Sequence, residues 1–294
     1  MLGARRAFMY DVDERREHLM IQLDEVMALL QKTGTDAWGC CAFDEIAGYL
    51  IPCRAQKRIV EGAQSILVGM FPYLVNGGEG NLCQYARVPD YHHVVGILLK
   101  NTVNGLKEQY PSFTFEPFVD NSPIPEVRAA ALAGLGVIGD NGLLLHPKYG
   151  SWCVIGEIVT DLPVVPAGRE PVHCIHCGAC KRACPGGALG EGPFVRTKCL
   201  SDITQKKKEL TPEEEQKIAQ NGLCWGCDTC QMVCPYNREV EVCPIPDFAR
   251  HYVSSYPLEG KDDVPRAWEW RGQAVIQRNL GIIQGGKDHT KPAK

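Results

Sequence analysis

The second half of this sequence is governed by two cysteine runs, CIHCGACKRACP from Cys174 to Pro185 and CWGCDTCQMVCP from Cys224 to Pro235. Both have the spacing C-x2-C-x2-C-x3-C-P, in which three cysteines bind one 4Fe–4S cluster and the fourth binds the other cluster. A cubane cluster needs four thiolates that converge on one small volume. Structural zinc is the weaker interpretation, because zinc sites usually need only paired C-x2-C units. The repeat therefore predicts a bacterial ferredoxin-like module with two 4Fe–4S clusters.

The crossover of the fourth cysteine divides the predicted ligands into two sets. One set is Cys174, Cys177, Cys180 and Cys234, and the other is Cys184, Cys227, Cys230 and one further cysteine. Two residues compete for that last position. Cys224 completes the second run in sequence, whereas Cys199 follows Cys184 in an Arg-x-x-Cys-Leu-Ser context. The spacing alone leaves this choice open.

The composition is that of a globular protein of roughly two domains, with 294 residues, 45% hydrophobic and 22% charged. Nine of the 15 cysteines lie between Cys174 and Cys234, which favours metal ligands over a disulfide framework. No apolar run approaches the about 18 residues needed to cross a bilayer, and the sequence after Arg5 and Arg6 is charged, unlike an export signal. We therefore expect a cytoplasmic protein without a membrane span. Because the net charge is −4, nucleic-acid contact would require a local basic patch such as the one from His173 to Lys208.

Apolar periodicity divides the first half into alternating helices and strands. The predicted helices lie within Val12–Lys32, closed by Gly34, and over His92–Leu106, and the predicted strands are Ser65–Phe71, Phe113–Val119 and Ser151–Thr160. This pattern predicts an α/β or α+β sheet domain over residues 1–165. A linker from Pro163 to Pro171 separates it from the cysteine module at 172–245. In the remaining 246–294 we expect one weak helix, Arg266–Ile282, and a disordered polar tail, Gly285–Lys294.

Two further motifs match known patterns but lie in the wrong context. Gly134-Leu-Gly-Val-Ile-Gly139 matches the dinucleotide fingerprint, which requires a strand before the glycines. Here Pro125–Ala133 reads as a helix, so we do not predict a nucleotide site. Asp90-x-His92-x-x-x-Gly96 is one residue too long for the motif that supplies histidine to cobalt in some corrinoid proteins. His92 is therefore not assigned as a metal ligand.

Several blocks together resemble the epoxyqueuosine reductase family, cobalamin-dependent iron–sulfur enzymes that share a core with reductive dehalogenases. They run in family order from about residue 50 to 240. The blocks are YARxxDYH at 85–92, VDxSPxPE at 119–126, GLGxIGxN at 134–141, GSW at 150–152, GEI at 156–158, CLS at 199–201 and GCDxCQxVCP at 226–235.

The resemblance implies an α+β fold, a nitroreductase-like mixed sheet domain followed by the ferredoxin-like double-cluster domain. It implies base-off cobalamin without a protein ligand to cobalt, and it favours Cys199 over Cys224 as the eighth cluster ligand. Asp120 would be the proton donor, with a pKa raised by burial against the corrin. Alternatively, Asp120 caps the helix that starts at Pro125. The implied cofactor-binding residues are Arg54, Arg87, Tyr91, Asp120, Ser122, Gly139, Asn141, Ser151 and Ser201.

The implied activity is an oxidoreductase that reduces the epoxide of a tRNA wobble nucleoside to queuosine. The tRNA would contact Lys206, Lys207 and Lys208, and flavodoxin or ferredoxin would donate electrons. The alternatives are a dehalogenase-like corrinoid reductase of a small molecule and a double-cluster electron-transfer protein. The sequence departs from the family at Asp140, where Lys is common, and at Val137, where Trp is common. Of the family's C-terminal helical repeats only Ala274–Ile283 resembles a beginning.

Overall fold

The centre of the fold is a four-stranded antiparallel sheet. The structure, a computed structural model, describes residues 20–166, 174–258 and 263–288, without the side chains of 286–288. Its strands are β1 Ile21–Gln22, β2 Trp38–Ala42, β3 Ser65–Pro72, β4 Phe115–Val119, β5 Val137–Ile138, β6 Leu144–Leu145, β7 Cys153–Thr160 and β8 Val164–Val165. The main sheet has the order β2-β3-β7-β4, and two small pairs join β1 to β8 in parallel and β5 to β6 in antiparallel.

Helices cover both faces of this sheet and form the cluster-bearing half. The α-helices are α1 Leu23–Leu30, α2 Asp44–Ala47, α3 Tyr91–Gln109, α4 Glu126–Leu132, α5 Ala179–Ala183, α6 Leu200–Thr204, α7 Pro212–Asn221, α8 Thr229–Met232, α9 Pro246–Arg250 and α10 Gln273–Asp288. Short 3-10 turns are Gln31–Thr33, Arg54–Arg58, Gln84–Ala86, Arg196–Lys198, Pro235–Asn237 and Glu269–Arg271.

The sheet domain has a hydrophobic core on each face. On one face α1 and α3 pack against Leu67, Phe71 and Ile158. On the other face α4 packs against Val68 and Val159. Because both faces are covered, all residues of β3 are buried. This arrangement leaves the ends of β4 and β7 as the places where a polar site can form.

A third core joins the two halves of the chain. Leu82, Cys83 and Ala86, which follow β3, pack with Trp225 and Trp268. The backbone amide of Cys83 donates to the Trp225 carbonyl at 3.1 Å. The cluster-bearing half is therefore packed directly onto the sheet domain.

The fold is α+β, as expected, and the predicted elements are present with shifted ends. The first helix begins only at Leu23, and 12–19 lie outside the described residues. Gly34 has a φ of 85° and closes the 3-10 turn Gln31–Thr33, which follows this helix, as predicted. The prediction for the C-terminus was wrong in part, because α10 runs through Gly285 to Asp288. Residues 167–173 of the expected linker and 289–294 of the expected tail lie outside the description.

The glycine-rich motif follows helix α4 and leads into β5, so it lacks the strand that a dinucleotide site requires. Gly134 has a φ of 72°, and a Cβ on Gly136 would lie 2.3 Å from the Leu145 carbonyl oxygen. These glycines serve a turn and a close packing contact. Separately, no helix in the described ranges is both long and apolar enough to span a bilayer.

Candidate active site

The two cysteine runs fold into matching loops that meet side by side. Each run ends in a short helix, α5 or α8, and the two helices pack together. A small space, the first cluster cavity, is lined by Cys174, Cys177, Cys180 and Cys234 together with Gly139 and Asn141. The Cys234 thiol interacts electrostatically with Cys174 and Cys177, so the fourth cysteine of the second run reaches the first three of the other.

A second space of about 270 Å³, the second cluster cavity, is lined by Cys184, Cys199, Cys227 and Cys230. Burial is the main cause that raises the pKa of Cys230 to about 12. The nearby Cys227, Cys199 and Cys184 thiols add to this rise. A free thiolate at Cys230 is therefore poorly accommodated beside three other thiols. A cationic metal centre reverses that repulsion, because a coordinating thiol is deprotonated outright.

Cys224 lies away from both cavities. It is fully buried in the third core, and its Sγ donates to the Asn81 carbonyl at 3.2 Å. Its backbone amide donates to the same carbonyl at 2.7 Å. Cys199, not Cys224, therefore stands with the other three thiols.

A third space of about 190 Å³, the acid cavity, lies at the ends of β4 and β7 and contains Asp120, Tyr91 and Glu126 in its wall. It adjoins the second cluster cavity, because both are lined by Leu143, Ser151 and Cys153. The first and second cluster cavities share Asn141. The three spaces thus adjoin one another in a series from the first set of thiols to the carboxyl group of Asp120.

Ser151, at the junction, is held by the cluster-bearing half. Its hydroxyl donates to Gln231 Oε1 at 2.9 Å and accepts from Asn237 Nδ2 at 2.8 Å. The Ser151 amide donates to Asn237 Oδ1 at 2.8 Å. These bonds fix the junction to the residues that surround the second cysteine run.

Asp120 lies in a turn that is unusual for a residue with a side chain. Asp120 and Asn121 have φ of 47° and 37°, in the left-handed region. The Asp120 Oδ1 accepts from the Asn121 amide at 2.8 Å, while Oδ2 accepts from the Tyr91 hydroxyl at 2.8 Å and contacts His92 Nε2 at 3.0 Å. Two residues at the start of α3 therefore orient the carboxyl group toward the acid cavity. Pro125, not Asp120, stands at the N-cap of α4.

The predicted rise in the pKa of Asp120 depends on burial against the corrin and stays a prediction, whereas the protein groups around Asp120 act in the opposite direction. The hydrogen bond from His92 outweighs burial and lowers the pKa of Asp120 to about 2. Hydrogen bonds to Asp120 and then Asp90 raise the pKa of His92 to about 9. At neutral pH the pair is consequently an imidazolium beside a carboxylate, and the titratable proton near Asp120 resides on His92.

Other predicted cofactor residues fall into two groups. Ser201 lines the second cluster cavity, and Gly139 and Asn141 line the first. Arg54 is exposed at the start of a 3-10 turn and lines none of the three spaces.

Arg87 and Ser122 have structural contacts of their own. The Arg87 guanidinium donates to the carbonyls of Leu82 at 2.8 Å and Gly78 at 3.0 Å. The Ser122 hydroxyl accepts from the Ile124 amide at 3.0 Å, which stabilises the turn. Neither residue lines the acid cavity or either cluster cavity.

Sequence reasoning missed His92, Glu126 and Glu157. The motif around His92 suggests only a metal ligand, although Asp90 two residues earlier has the spacing of a helix N-cap, and Asp90 Oδ1 accepts from the His92 amide at 2.9 Å. Glu157 is an acidic residue inside the apolar strand β7. A carboxyl group at such a position is the kind of signal that identifies a functional site.

Two protein-family models match the chain. The model described as "4Fe-4S double cluster binding domain" matches residues 173–237, and "Epoxyqueuosine reductase QueG, DUF1730" matches 54–121. The first model supports the double-cluster expectation from the spacing of the cysteines. The second covers the segment from the turn after β2 to the left-handed turn at Asp120.

Curated and solved relatives agree with these models. The chain is 40% identical over 233 residues to the epoxyqueuosine reductase of Synechocystis sp., covering 74% of this chain and 78% of the relative. It is 36% identical to that of Lactococcus garvieae, covering 67% and 59%. A crystal structure of epoxyqueuosine reductase with an epoxyqueuosine-modified tRNA-Tyr stem loop is similar with a TM-score of 0.75 at 25% identity, covering 90% of this chain and 80% of that one.

The chain spans only part of the length of some of these relatives. It spans 59%, 54% and 63% of the relatives from Lactococcus garvieae, Listeria monocytogenes and Aliivibrio fischeri. It spans 78% of the Synechocystis relative at 40% identity. Sequence, fold and cysteine arrangement therefore lead to one conclusion: this chain belongs to the epoxyqueuosine reductase family.

Proposed function

We propose that this protein is an oxidoreductase that reduces the epoxide of a tRNA wobble nucleoside to queuosine. The observation that carries the proposal is the series of adjoining spaces from the cluster cavities to Asp120, which share Leu143, Ser151 and Cys153 in their walls. Reductive removal of an oxygen needs both electrons and protons. This arrangement supplies the electrons from one end and the protons from the other.

The cysteines of the two cluster cavities fit two 4Fe–4S clusters. We assign the first cluster to Cys174, Cys177, Cys180 and Cys234, and the second to Cys184, Cys199, Cys227 and Cys230. Four thiolates per cluster are the donor set that such clusters require. On this assignment the sheet domain, up to about residue 165, holds the reaction centre, 172–245 hold the clusters, and 246–294 form an extension.

The junction of the acid cavity and the second cluster cavity fits cobalamin bound base-off. Its walls are apolar at Leu143, Val154 and Ile155, with Ser151 and Asn141 as polar groups. When bound, cobalamin would supply the reduced cobalt that the epoxide requires.

The residues around Asp120 would bind the substrate and manage its protons. Asp120 is oriented by Tyr91 and His92, and its carboxylate accepts both hydrogen bonds on Oδ2. Because the pKa of His92 is raised to about 9, the imidazolium holds one proton that can pass to Asp120. We therefore assign Asp120 as the proton donor and His92 as the residue that positions it and supplies its first proton.

The tRNA would contact the loop 206–208, and a flavodoxin or ferredoxin would donate electrons to the clusters. Lys207 and Lys208 are exposed, whereas Lys206 forms an ion pair with Glu214. Arg278 Nη1 on α10 donates to the carbonyls of Lys206 at 2.9 Å and Lys208 at 3.0 Å, which fixes this loop. A tRNA-modifying role is consistent with the cytoplasmic location expected from the sequence.

The test is anaerobic reconstitution with iron, sulfide and cobalamin, followed by assay on epoxyqueuosine-modified tRNA. We expect about eight irons and one cobalt per chain and formation of queuosine. The same gene should restore queuosine in a reductase-deficient strain, and Asp120→Asn should abolish that rescue while retaining both metals. Iron without cobalt would indicate an electron carrier. Cobalt without turnover of the tRNA would indicate a corrinoid reductase of a small molecule.

A further inference from the structure

A glutamate is buried in the middle of the central sheet. Glu157 lies on β7 between β3 and β4, opposite Val68 and Phe118, and its exposed fraction is 0%. The Ser122 hydroxyl is near enough to lower its pKa somewhat. Even so, within the described chain neither carboxyl oxygen has a partner at hydrogen-bond geometry. An isolated carboxylate at such a position is strongly disfavoured, so the group is expected to retain its proton.

A second carboxyl group connects this buried residue to the acid cavity. Glu126 opens helix α4, which packs on β7, and its side chain forms part of the cavity wall. The backbone amide of Asp120 donates toward the Glu126 carboxyl, and Glu126 interacts electrostatically with Glu157. Phe118, opposite Glu157, precedes Asp120 by two residues. Glu157, Glu126 and Asp120 thus lie one after another in space from the sheet interior to the cavity.

The charged groups that face this pair come from each element packed against it. Asp120, from the turn after β4, carries a negative charge, while His92 at the start of α3 supplies a positive one. The pKa of Glu126 is raised to about 8, mainly because the group is buried and secondly because of the negative charge of Asp120. Burial, followed by Glu126, raises the pKa of Glu157 well above its ordinary value. Two protonated carboxyls therefore stand next to one that is ionised.

The proposed reaction needs more protons than one donor holds. Conversion of an epoxide to an alkene breaks two C–O bonds, consumes two electrons and two protons, and releases the oxygen as water. In the proposed function the clusters deliver the electrons, and Asp120 passes protons one at a time. A second proton must therefore reach Asp120 while the substrate blocks the cavity.

We propose that Glu126 and Glu157 form an internal proton store that supplies this second proton to Asp120. Glu126 gives up its proton at the cavity wall, and Glu157 replaces it from the interior of the sheet. The inference rests on the proposed function, because it assigns these residues to the same reaction. Both are positioning residues in proton delivery; neither need touch the reacting carbons.

The test compares Glu157→Gln and Glu126→Gln with the exposed control Glu108→Gln, all as the anaerobically reconstituted holoenzyme. Infrared spectroscopy at neutral pH should detect protonated carboxyl groups in the parent and in the control. Each of the two test variants should lose one such absorption. On modified tRNA, Glu157→Gln should lower kcat by about 10-fold or more with little change in KM, since proton transfer contributes on the order of 100-fold or more. The alkaline limb of its kcat profile should also move to lower pH.

Different results would overturn different claims. If neither variant loses a protonated-carboxyl absorption, or if both keep the parent's kcat profile across the pH range, the proton store is refuted. If Glu157→Gln does not fold, the partly exposed Glu126→Gln decides by the same two readouts. A parent enzyme that contains both metals but does not convert the tRNA refutes the proposed function and the delivery role together. The infrared result would then still report whether the pair holds its protons.

Discussion

The environment of Asp120 combines a strained backbone with a strong charge pair. Two successive left-handed residues that are not glycine, Asp120 and Asn121, persist only when their surroundings hold them. The contacts to Tyr91 and His92 provide that support. The same contacts keep Asp120 ionised, so proton supply to this carboxyl has to come from its neighbours.

His92→Gln should reduce stability in a pH-dependent way. The pKa of His92 rises from 6.5 to about 9 on folding, so its contribution is fully present below pH 6.5 and lost as pH rises through about 9. The pKa of Asp120 falls from 3.8 to about 2, so its contribution is present above pH 3.8 and lost as pH falls through about 2. The two windows overlap between pH 3.8 and 6.5.

The effect should be small, about 1 kcal/mol or less, because the His92 and Asp120 side chains are 42% and 53% exposed. Denaturant unfolding at several pH values measures it. The difference between parent and variant should be largest near pH 6 and should shrink toward pH 10. The exposed control His93→Gln should leave the parent curve unchanged, and a difference for His92→Gln that is independent of pH would contradict the pairing.

The cysteine that completes the second cluster can be tested by substitution. Cys199→Ser removes a thiol from the second cluster cavity, so the second cluster should be lost or incomplete, with an iron content clearly below the parent's eight. Cys224→Ser changes a buried core thiol and should retain the full iron content. Iron analysis and the charge-transfer absorption after anaerobic reconstitution measure both. Loss of iron in Cys224→Ser but not in Cys199→Ser would reverse the assignment.

At the scale of elements, long periodic segments could be predicted and short ones could not. Helix α3 was found because Val95, Leu99 and Leu106 repeat at helical spacing and are fully buried. Strand β2 was missed because Trp38–Ala42 is buried on both faces and does not alternate. The two-residue strands β5 and β6 depend on tertiary pairing that no local pattern reveals.

The features of the candidate site that could not be predicted from the sequence also depend on tertiary contacts. Seven of the assigned cysteine ligands follow from local spacing, while Cys199 and Asp120 follow from sequence blocks that resemble the family. The pKa of Asp120 was not predictable, because it depends on His92, 28 residues away in sequence. Glu126 and Glu157 meet only after α4 packs on the sheet.

The contact between β2 and α4 gives a prediction for an element. A Cβ on Gly39 would lie 2.2 Å from the carbonyl oxygen of Ala133, at the end of α4. Gly39→Ala should therefore destabilise the protein by about 1–3 kcal/mol, the usual cost of overpacking. Gly48→Ala is the matched control, since a Cβ there meets nothing within 4 Å and its φ is −74°. Chemical denaturation of both variants decides, and equal stabilities would contradict the close packing.

At the scale of the whole molecule, the lysine loop should contribute to tRNA affinity unequally. The double variant Lys207→Ala and Lys208→Ala should weaken binding and reduce the slope of log affinity against log salt by about 1.5, as expected for two lost phosphate contacts. Lys206→Ala should have a smaller effect, because the Lys206 ammonium is paired with Glu214. Binding to a modified stem loop at several salt concentrations measures this. A larger effect from Lys206→Ala than from the double variant would exclude this loop as the contact.

The core that joins Leu82, Cys83 and Ala86 to Trp225 and Trp268 has a consequence for how such enzymes can be rearranged. A fragment containing only the cluster loops would expose the indole of Trp225 and leave the Trp225 carbonyl without its donor, the Cys83 amide. The cluster-bearing half and the sheet domain are therefore expected to fold as one unit. Transplanting the cluster loops onto another reductase would have to carry the segment 81–86 along with them.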